Sequence, residues 1–459
     1  MRAPRASVRG RRPAVLVAAL VAALVAASLV AACAPEPPPD AAPVTVPSPD
    51  AAPVTVPSPS GAAAAAPSRL LVRPGVDMLA ERLPAVLEGK RVGLITNHTG
   101  RDTNGRSTID VLAAQRGMRL VALFAPEHGI RGVAREGERI DDSRDERTGL
   151  PVRSLYGATR KPTPEMLRDV DALVFDIQDV GSRTYTYVYT MAYAMQAARE
   201  RGIPFVVLDR PNPVRGDVIE GNMLDTAYAS FVGMYPIPVR HGLTVGELAQ
   251  LFNGAFGIGA QLTVVRMDGW RRDLWWDETG LDWVPPSPNL PRLESAIHYP
   301  GTVFFEAINL SEGRGSSHPF EQTGAPWLRH REVADSMNAL RLPGVRFEAV
   351  EFTPAATAAK FPGQPLRGVR LVLTDRNAYR PVSTTLRLIA TIRRLHPAEF
   401  RWVGGPTAAD PKAVYWMERL GGTDRLRRAI EAGTLDALLA EWERDARAFE
   451  AQRREFLLY

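Results

Sequence analysis

The chain has 459 residues, a formal net charge of +5, a pI near 9.4 and a single cysteine. Five of its basic residues, Arg2, Arg5, Arg9, Arg11 and Arg12, precede an uncharged Ala/Val/Leu stretch from Ala14 to Ala32. If residues 1–32 leave as a signal peptide, the mature charge is zero and no basic footprint for nucleic acid remains.

Cys33 follows Leu29-Val30-Ala31-Ala32 directly, a placement that resembles the lipobox of bacterial lipoproteins. The expectation is cleavage before Cys33 and lipidation there, leaving the chain lipid-anchored to the cell envelope outside the cytoplasm, periplasm-facing or on an outer membrane. An ordinary signal peptide or an uncleaved anchor helix are the other readings of the same segment. With Cys33 acylated no disulfide can form, so stability must come from a buried core.

Residues 33–68 form a tether. The decapeptide Asp40-Ala-Ala-Pro-Val-Thr-Val-Pro-Ser-Pro49 recurs unchanged at Asp50–Pro59, followed by an alanine run. Proline removes backbone donors and favours extended polyproline II, so at about 3.1 Å per residue the segment spans on the order of 100 Å.

From Leu70 onward β and α patterns alternate. Arg91–Thr96, Leu120–Phe124, Ala172–Ile177 and Pro204–Leu208 are short apolar runs with the signature of strands buried on both faces. A helix is expected near Ser107–Gln115 with Ser107 as N-cap, and another over Tyr185–Arg201 ending at Gly202. Parallel strands joined by helices make an α/β, Rossmann-like domain over 69–283. The Pro-rich stretch Val284–Pro291 marks a crossing into a smaller α+β domain over 284–459. That domain carries expected strands at Val345–Phe352 and Val369–Thr374, and helices at Ser383–Leu395 and Thr434 to about Phe456.

Ligands of open parallel sheets bind outside the carboxyl ends of the strands. Here those ends hold Asn97 and His98, Glu127 and His128, Asp176 and Gln178, and Asp209 with Asn212. Neither Gly-x-Gly-x-x-Gly nor Gly-x-x-x-x-Gly-Lys-[Ser/Thr] is present, and no Gly-x-Ser-x-Gly elbow. His98, His128, Asp176 and Asp209 have no recognised metal-ligand spacing, so no metal and no cofactor is expected. Carboxylate chemistry remains. Glu127, on a tight loop beside an apolar strand, suits a proton donor, and Asp176, Glu312 and Glu321 are candidates for a second carboxylate.

Several blocks then become recognisable. Leu94-Ile-Thr-Asn-His-Thr-Gly100, Phe124-Ala-Pro-Glu-His-Gly-Ile-Arg-Gly132 and Asp176-Ile-Gln-Asp-Val-Gly-Ser-Arg-Thr-Tyr-Thr-Tyr187 resemble the NamZ/YbbC-type exo-β-N-acetylmuramidases. So do Leu208–Pro213, Asn289-Leu-Pro291, Tyr299-Pro-Gly301 and Ser311-Glu-Gly-Arg-Gly315. The resemblance runs from about Leu71 to Tyr459. It implies release of N-acetylmuramic acid from the non-reducing end of peptidoglycan fragments, and places the family's catalytic glutamate at Glu127.

Within that frame Arg183 or Arg314 would hold the lactyl carboxylate by a bidentate fork. Tyr185 or Tyr187 would stack on the sugar, with the other in the core. Asn97, His98, His128, Gln178, Asp209, Asn212, Asn289 and Glu321 complete the expected substrate-binding set. A non-catalytic lipoprotein that binds wall fragments and a metal-dependent hydrolase are the alternative functions.

The Cys33 expectation has a direct test. Cys33→Ser should abolish acyl labelling and move the protein from the membrane to the soluble fraction. A variant that stays membrane-bound would make Ala14–Ala32 an anchor helix instead.

Overall fold

The computed structural model describes residues 71–132 and 137–459. The expected signal peptide, Cys33 and the tether lie outside the described residues. Among the described residues, no helix is long and apolar enough to cross a membrane.

Seven strands form the main sheet: β1 (Arg91–Thr96), β2 (Arg119–Ala125), β3 (Ser143–Arg144), β4 (Pro151–Ser154), β5 (Ala172–Asp176), β6 (Phe205–Leu208) and β7 (Leu262–Val265). Their spatial order is β3-β4-β2-β1-β5-β6-β7. All neighbouring pairs are parallel except β3 with β4. Every residue of β5 and β6 is buried, as a sheet covered by helices on both faces requires. The chain moves outward from β1 in both directions, so the sheet has its topological switch point between β1 and β5.

The expected strands of the main sheet form within a residue or two, Val345–Phe352 forms with the expected limits, and the strand expected at Val369–Thr374 begins three residues earlier, at Leu366. Ser107 caps Thr108–Ala114, its hydroxyl accepting from the Asp110 N–H. Gly202 ends the helix Tyr187–Arg201 in the left-handed conformation that a glycine adopts without strain. The short strands β3 and β7 at the edges, and β4 beside β3, were not anticipated. Neither was the helix Val245–Gly254, although Thr244 and Glu247 close a capping box at its start.

The second sheet is antiparallel, β8 (Gln322–Ala325), β10 (Leu366–Leu373) and β9 (Val345–Phe352), in the order β8-β10-β9. The Pro-rich segment 284–291 contains neither helix nor strand and leads into the helix Leu293–Thr302. That helix packs against Pro381–Leu395. The approach is very close: a Cβ on Gly301 would lie 2.0 Å from the Pro381 carbonyl oxygen, so only glycine fits.

One contiguous apolar core runs through both halves, from Ile95 and Phe175 to Phe305, Leu388 and Trp442. A buried cation reinforces it. Arg183 is completely buried, and its guanidinium donates to the carbonyls of Asn222 (2.7 Å), Ile237 (2.9 Å), Leu420 (3.1 Å) and Gly421 (2.9 Å). The first two lie in the first half of the chain and the last two near the C-terminus. Burial pushes this guanidinium down to about 10, which still leaves it charged at neutral pH.

Arg183→Met should therefore cost about 3 kcal/mol or more, because four buried carbonyls lose their donor together. Urea unfolding would show a lower midpoint; an unchanged midpoint would mean the cage contributes nothing to stability.

Candidate active site

A cavity of about 450 Å³ opens above the carboxyl ends of β2, β4 and β5, and the second half of the chain supplies its opposite wall. Its size suits a small polar ligand such as a sugar. Three loops of the main sheet contribute: Glu127 and His128 after β2, Tyr156 after β4, and Thr184–Tyr187 after β5. From the second half come Tyr299, Glu306, Arg314, Phe320, Trp416 and Arg419.

Glu127 sits half-buried on a tight turn in which the Gly129 N–H reaches the Pro126 carbonyl at 3.0 Å. His128, next to it, adopts φ 67°, a left-handed conformation that costs energy for a histidine. One carboxylate oxygen of Glu127, Oε1, accepts from the Gly137 N–H at 3.0 Å. The other, Oε2, meets the Thr186 hydroxyl at 2.7 Å. Thr186 is the N-cap of the helix Tyr187–Arg201 but makes no side-chain capping bond; its hydroxyl is directed to Glu127 instead. Tyr156 lies close enough that its phenol is pushed up to about 12, by burial first and by the Glu127 charge second.

Aromatic rings line the floor. Tyr185 packs edge-on against Tyr187 at 5.0 Å and against Tyr299 at 5.6 Å, and Tyr299 packs edge-on against Phe320 at 4.9 Å. Tyr185 and Tyr187 both reach the cavity, because the helix begins only at Tyr187 and Tyr185 belongs to the preceding turn. The Tyr187 hydroxyl donates to the Pro286 carbonyl at 2.8 Å, whereas the Tyr185 hydroxyl is buried with no partner among the described residues.

The opposite wall is charged. Arg314 donates from Nη2 to Glu306 Oε1 at 2.8 Å and from Nη1 to Glu312 Oε1 at 3.0 Å, with its guanidinium 4.8 Å from the Phe320 ring centre. The Trp416 indole approaches Glu306 Oε2 at 3.4 Å. Burial raises the Glu306 carboxyl above its ordinary value, opposed by the Arg314 charge and assisted by Glu312. At the cavity's edge Arg160 stands 4.1 Å over Phe231, and neither Arg160 nor Arg419 has an ion-pair partner among the described residues.

Of the residues singled out in the sequence, Glu127, His128, Tyr185, Tyr187 and Arg314 come together at this cavity. The others do not line it. Arg183 is sealed in its carbonyl cage and cannot meet a ligand. Asp176 is fully buried under Arg210 and the Thr108 hydroxyl, so it holds the sheet's switch point and is not a second catalytic carboxylate. Glu312 is buried between Arg314 and Lys360 Nζ at 3.1 Å; burial would raise its carboxyl, but those two cations outweigh it and hold it low. Glu321 takes bonds from Ser295 and Arg292, both at 2.7 Å, tying the start of Leu293–Thr302 to β8.

The amides and remaining strand-end groups also serve their own loops. Asn97 accepts from the Thr99 N–H and hydroxyl at 2.9 and 2.6 Å, and Gln178 donates to the carbonyls of Asp179 and Pro211. Asn212 donates to the Leu243 carbonyl, and Asp209 accepts from Thr244, Gly246 and Tyr459. Asn289 is held to Ser287 outside the cavity. His98 bonds the Pro285 carbonyl at 2.7 Å and fills the space a Cβ on Gly132 would occupy. It thereby fastens the Glu127 loop to the segment between the halves.

Sequence reasoning missed Thr186, Tyr156, Glu306, Trp416 and the two edge arginines. Thr186 and Tyr299 lay inside quoted blocks; nothing in the spacing of the others marks them. Among the described residues no group of three or more His, Cys, Asp or Glu could hold a metal ion.

Comparison with known proteins agrees on one family. Residues 92–294 match "Exo-beta-N-acetylmuramidase NamZ, N-terminal", and residues 297–459 match "Exo-beta-N-acetylmuramidase NamZ, C-terminal". Peptidoglycan beta-N-acetylmuramidase NamZ of Bacillus subtilis (strain 168) is 48% identical over 389 residues, spanning 84% of this chain and 91% of that protein. Two crystal structures of DUF1343 family proteins from Bacteroides fragilis NCTC 9343 share the fold. One is 38% identical with a TM-score of 0.77, covering 85% of this chain and 100% of the other. The second is 30% identical with a TM-score of 0.66, covering 84% and 99%.

Proposed function

The chain belongs to the NamZ family of exo-β-N-acetylmuramidases, and from this we propose that its cavity releases terminal N-acetylmuramic acid from peptidoglycan fragments, with Glu127 as the proton donor. It is a glycoside hydrolase acting in cell-wall turnover. The observation that carries the role of Glu127 is its setting. It lines a sugar-sized cavity, and both its oxygens face neutral hydrogen-bond partners, with no cation within ion-pair distance among the described residues. A general acid has to reach the ligand space, and Glu127 is the carboxyl that the main-sheet wall brings there. The Gly137 N–H donates to Oε1 and the Thr186 hydroxyl to Oε2, which together fix the carboxyl at the cavity.

The substrate's lactyl group carries a carboxylate. Arg183 being sealed away, the cations available to it are Arg314 on the wall and Arg160 and Arg419 at the edge. Arg160 is held by Phe231 rather than by a carboxylate, which leaves its charge to be met by an anion. The edge-on tyrosines 185 and 299 offer the sugar an apolar face.

We also propose that the enzyme works outside the cytoplasm on a lipid anchor at Cys33. The support is the placement of that single cysteine after a basic and then apolar leader, and the proline-rich spacer behind it. A membrane-tethered wall hydrolase needs such reach to meet its polymer.

Two measurements test the proposal together. The protein should hydrolyse an aryl β-N-acetylmuraminide and strongly prefer it to the matching N-acetylglucosaminide, which lacks the lactyl carboxylate. Glu127→Gln should lower kcat by about 10²–10⁴-fold on the natural disaccharide and less on an activated aryl glycoside, whose leaving group needs little protonation. Equal turnover of the two sugars would reject lactyl recognition. A folded Glu127→Gln with wild-type rate on disaccharide would place the acid elsewhere.

A further inference from the structure

We propose that Glu306, on the wall contributed by the second half of the chain, is the carboxylate that takes the proton of the attacking water, so that hydrolysis inverts the anomeric centre. The inference rests on the muramidase reading and adds the second reacting group to it.

Glu306 is the other carboxylate that lines the same cavity as Glu127. It sits in the 3₁₀ turn Val303–Ala307, directly after the helix whose Gly301 touches the Pro381 carbonyl. Its side chain keeps 19% of its surface exposed, toward the cavity that it lines. The two carboxylates come from different walls and differ in their partners. Glu127 has neutral ones; Glu306 is held on Oε1 by a guanidinium that stays protonated throughout the accessible pH range. That pairing favours the charged form and fixes Oε1, while the longer Trp416 contact holds Oε2 less tightly on the cavity side.

The charges around Glu306 are Arg314 and Lys360 on one side and Glu312 on the other, and Glu312 is itself shared between both cations. Desolvation and Glu312 raise its proton affinity while Arg314 and Lys360 lower it. The net is a carboxyl held above its ordinary value, which accepts a proton more readily than an exposed carboxylate does. The Tyr299 ring lines the same cavity, and burial first, then the charges of Glu306 and Glu127, raise its phenol. Neither carboxylate bonds to the other or shares a hydrogen-bond donor with it. An inverting pair places its carboxyls on opposite faces of the sugar with a water in between, and these two come from opposite walls of a cavity of about 450 Å³.

The step balances as follows. Glu127 gives its proton to the glycosidic oxygen, which keeps the electron pair of the breaking C1–O bond. The water oxygen forms the new bond to C1 from the opposite face and passes its proton to Glu306. Proton exchange with solvent then restores both groups.

The first experiment uses the unaltered protein. Wild-type enzyme with an aryl β-N-acetylmuraminide should release the α-anomer first, seen by ¹H NMR before mutarotation. Glu306→Gln should lower kcat by about 10²–10⁴-fold on both activated and natural substrates, unlike Glu127→Gln. It should also remove the acidic limb of the kcat/KM profile, which a merely structural loss would leave in place. Glu306→Ala with added azide should regain turnover and yield the α-glycosyl azide. An initial β-product, or a Glu306→Gln rate near wild type with an unchanged acidic limb, overturns the inference while the muramidase reading stands. Absence of wild-type turnover would instead overturn the muramidase reading itself.

Discussion

The carbonyl cage around Arg183 is the constraint on which the site's geometry depends. A guanidinium with no accessible surface has to be satisfied inside the protein, and here its two terminal nitrogens are met by carbonyls from residues 222, 237, 420 and 421. The Arg183 N–H also bonds the Val239 carbonyl, and its own carbonyl accepts from the Tyr189 hydroxyl. Backbone and side chain are thus both fixed. The next four residues, Thr184–Tyr187, line the cavity, and Leu420 beside Arg419 lines it from the other side. Whatever locks Arg183 therefore locks the distance between the two walls.

Most of the buried charge in this protein performs that kind of scaffolding. Asp176 anchors Arg210 at the switch point, Asp209 gathers a helix N-terminus and the C-terminal tyrosine, and Glu321 starts the helix that leads to Glu306. Parallel strands end in loops whose backbone groups have lost their ladder partners, and side chains near those ends are recruited to satisfy them. A polar cluster at strand ends thus marks a site's neighbourhood without marking its members. Glu127 differs in that its carboxylate, although it accepts from the Gly137 N–H of its own loop, also lines the cavity.

This explains what was legible in the sequence. The central strands were, because burial on both faces leaves unbroken apolar runs; β3, β4 and β7 were not, because these two- to four-residue strands at or next to the sheet's edges are not buried throughout. Glu127 was legible from its strand end and its block. Arg183 and Asp176 stood in an equally recognisable block, yet a motif cannot say whether a charged residue faces a ligand or a cage. Glu306 was illegible for a different reason. Its place in the cavity follows from a helix end, a 3₁₀ turn and a glycine contact with Pro381, all long-range facts with no local pattern.

The division of labour between the walls follows from their charge. Among the described residues, the wall built by the main sheet presents hydroxyls, a backbone N–H and tyrosines to Glu127, with no paired cation. The wall built by the second half sets Arg314 and Lys360 against Glu306 and Glu312, so that carboxylate charge there is met by cations. A transition state with positive charge at the anomeric carbon is stabilised by an anion on one side and by proton donation on the other. Two walls of unlike electrostatics, held at a fixed spacing by a buried cation, provide both without either carboxylate changing its surroundings during turnover.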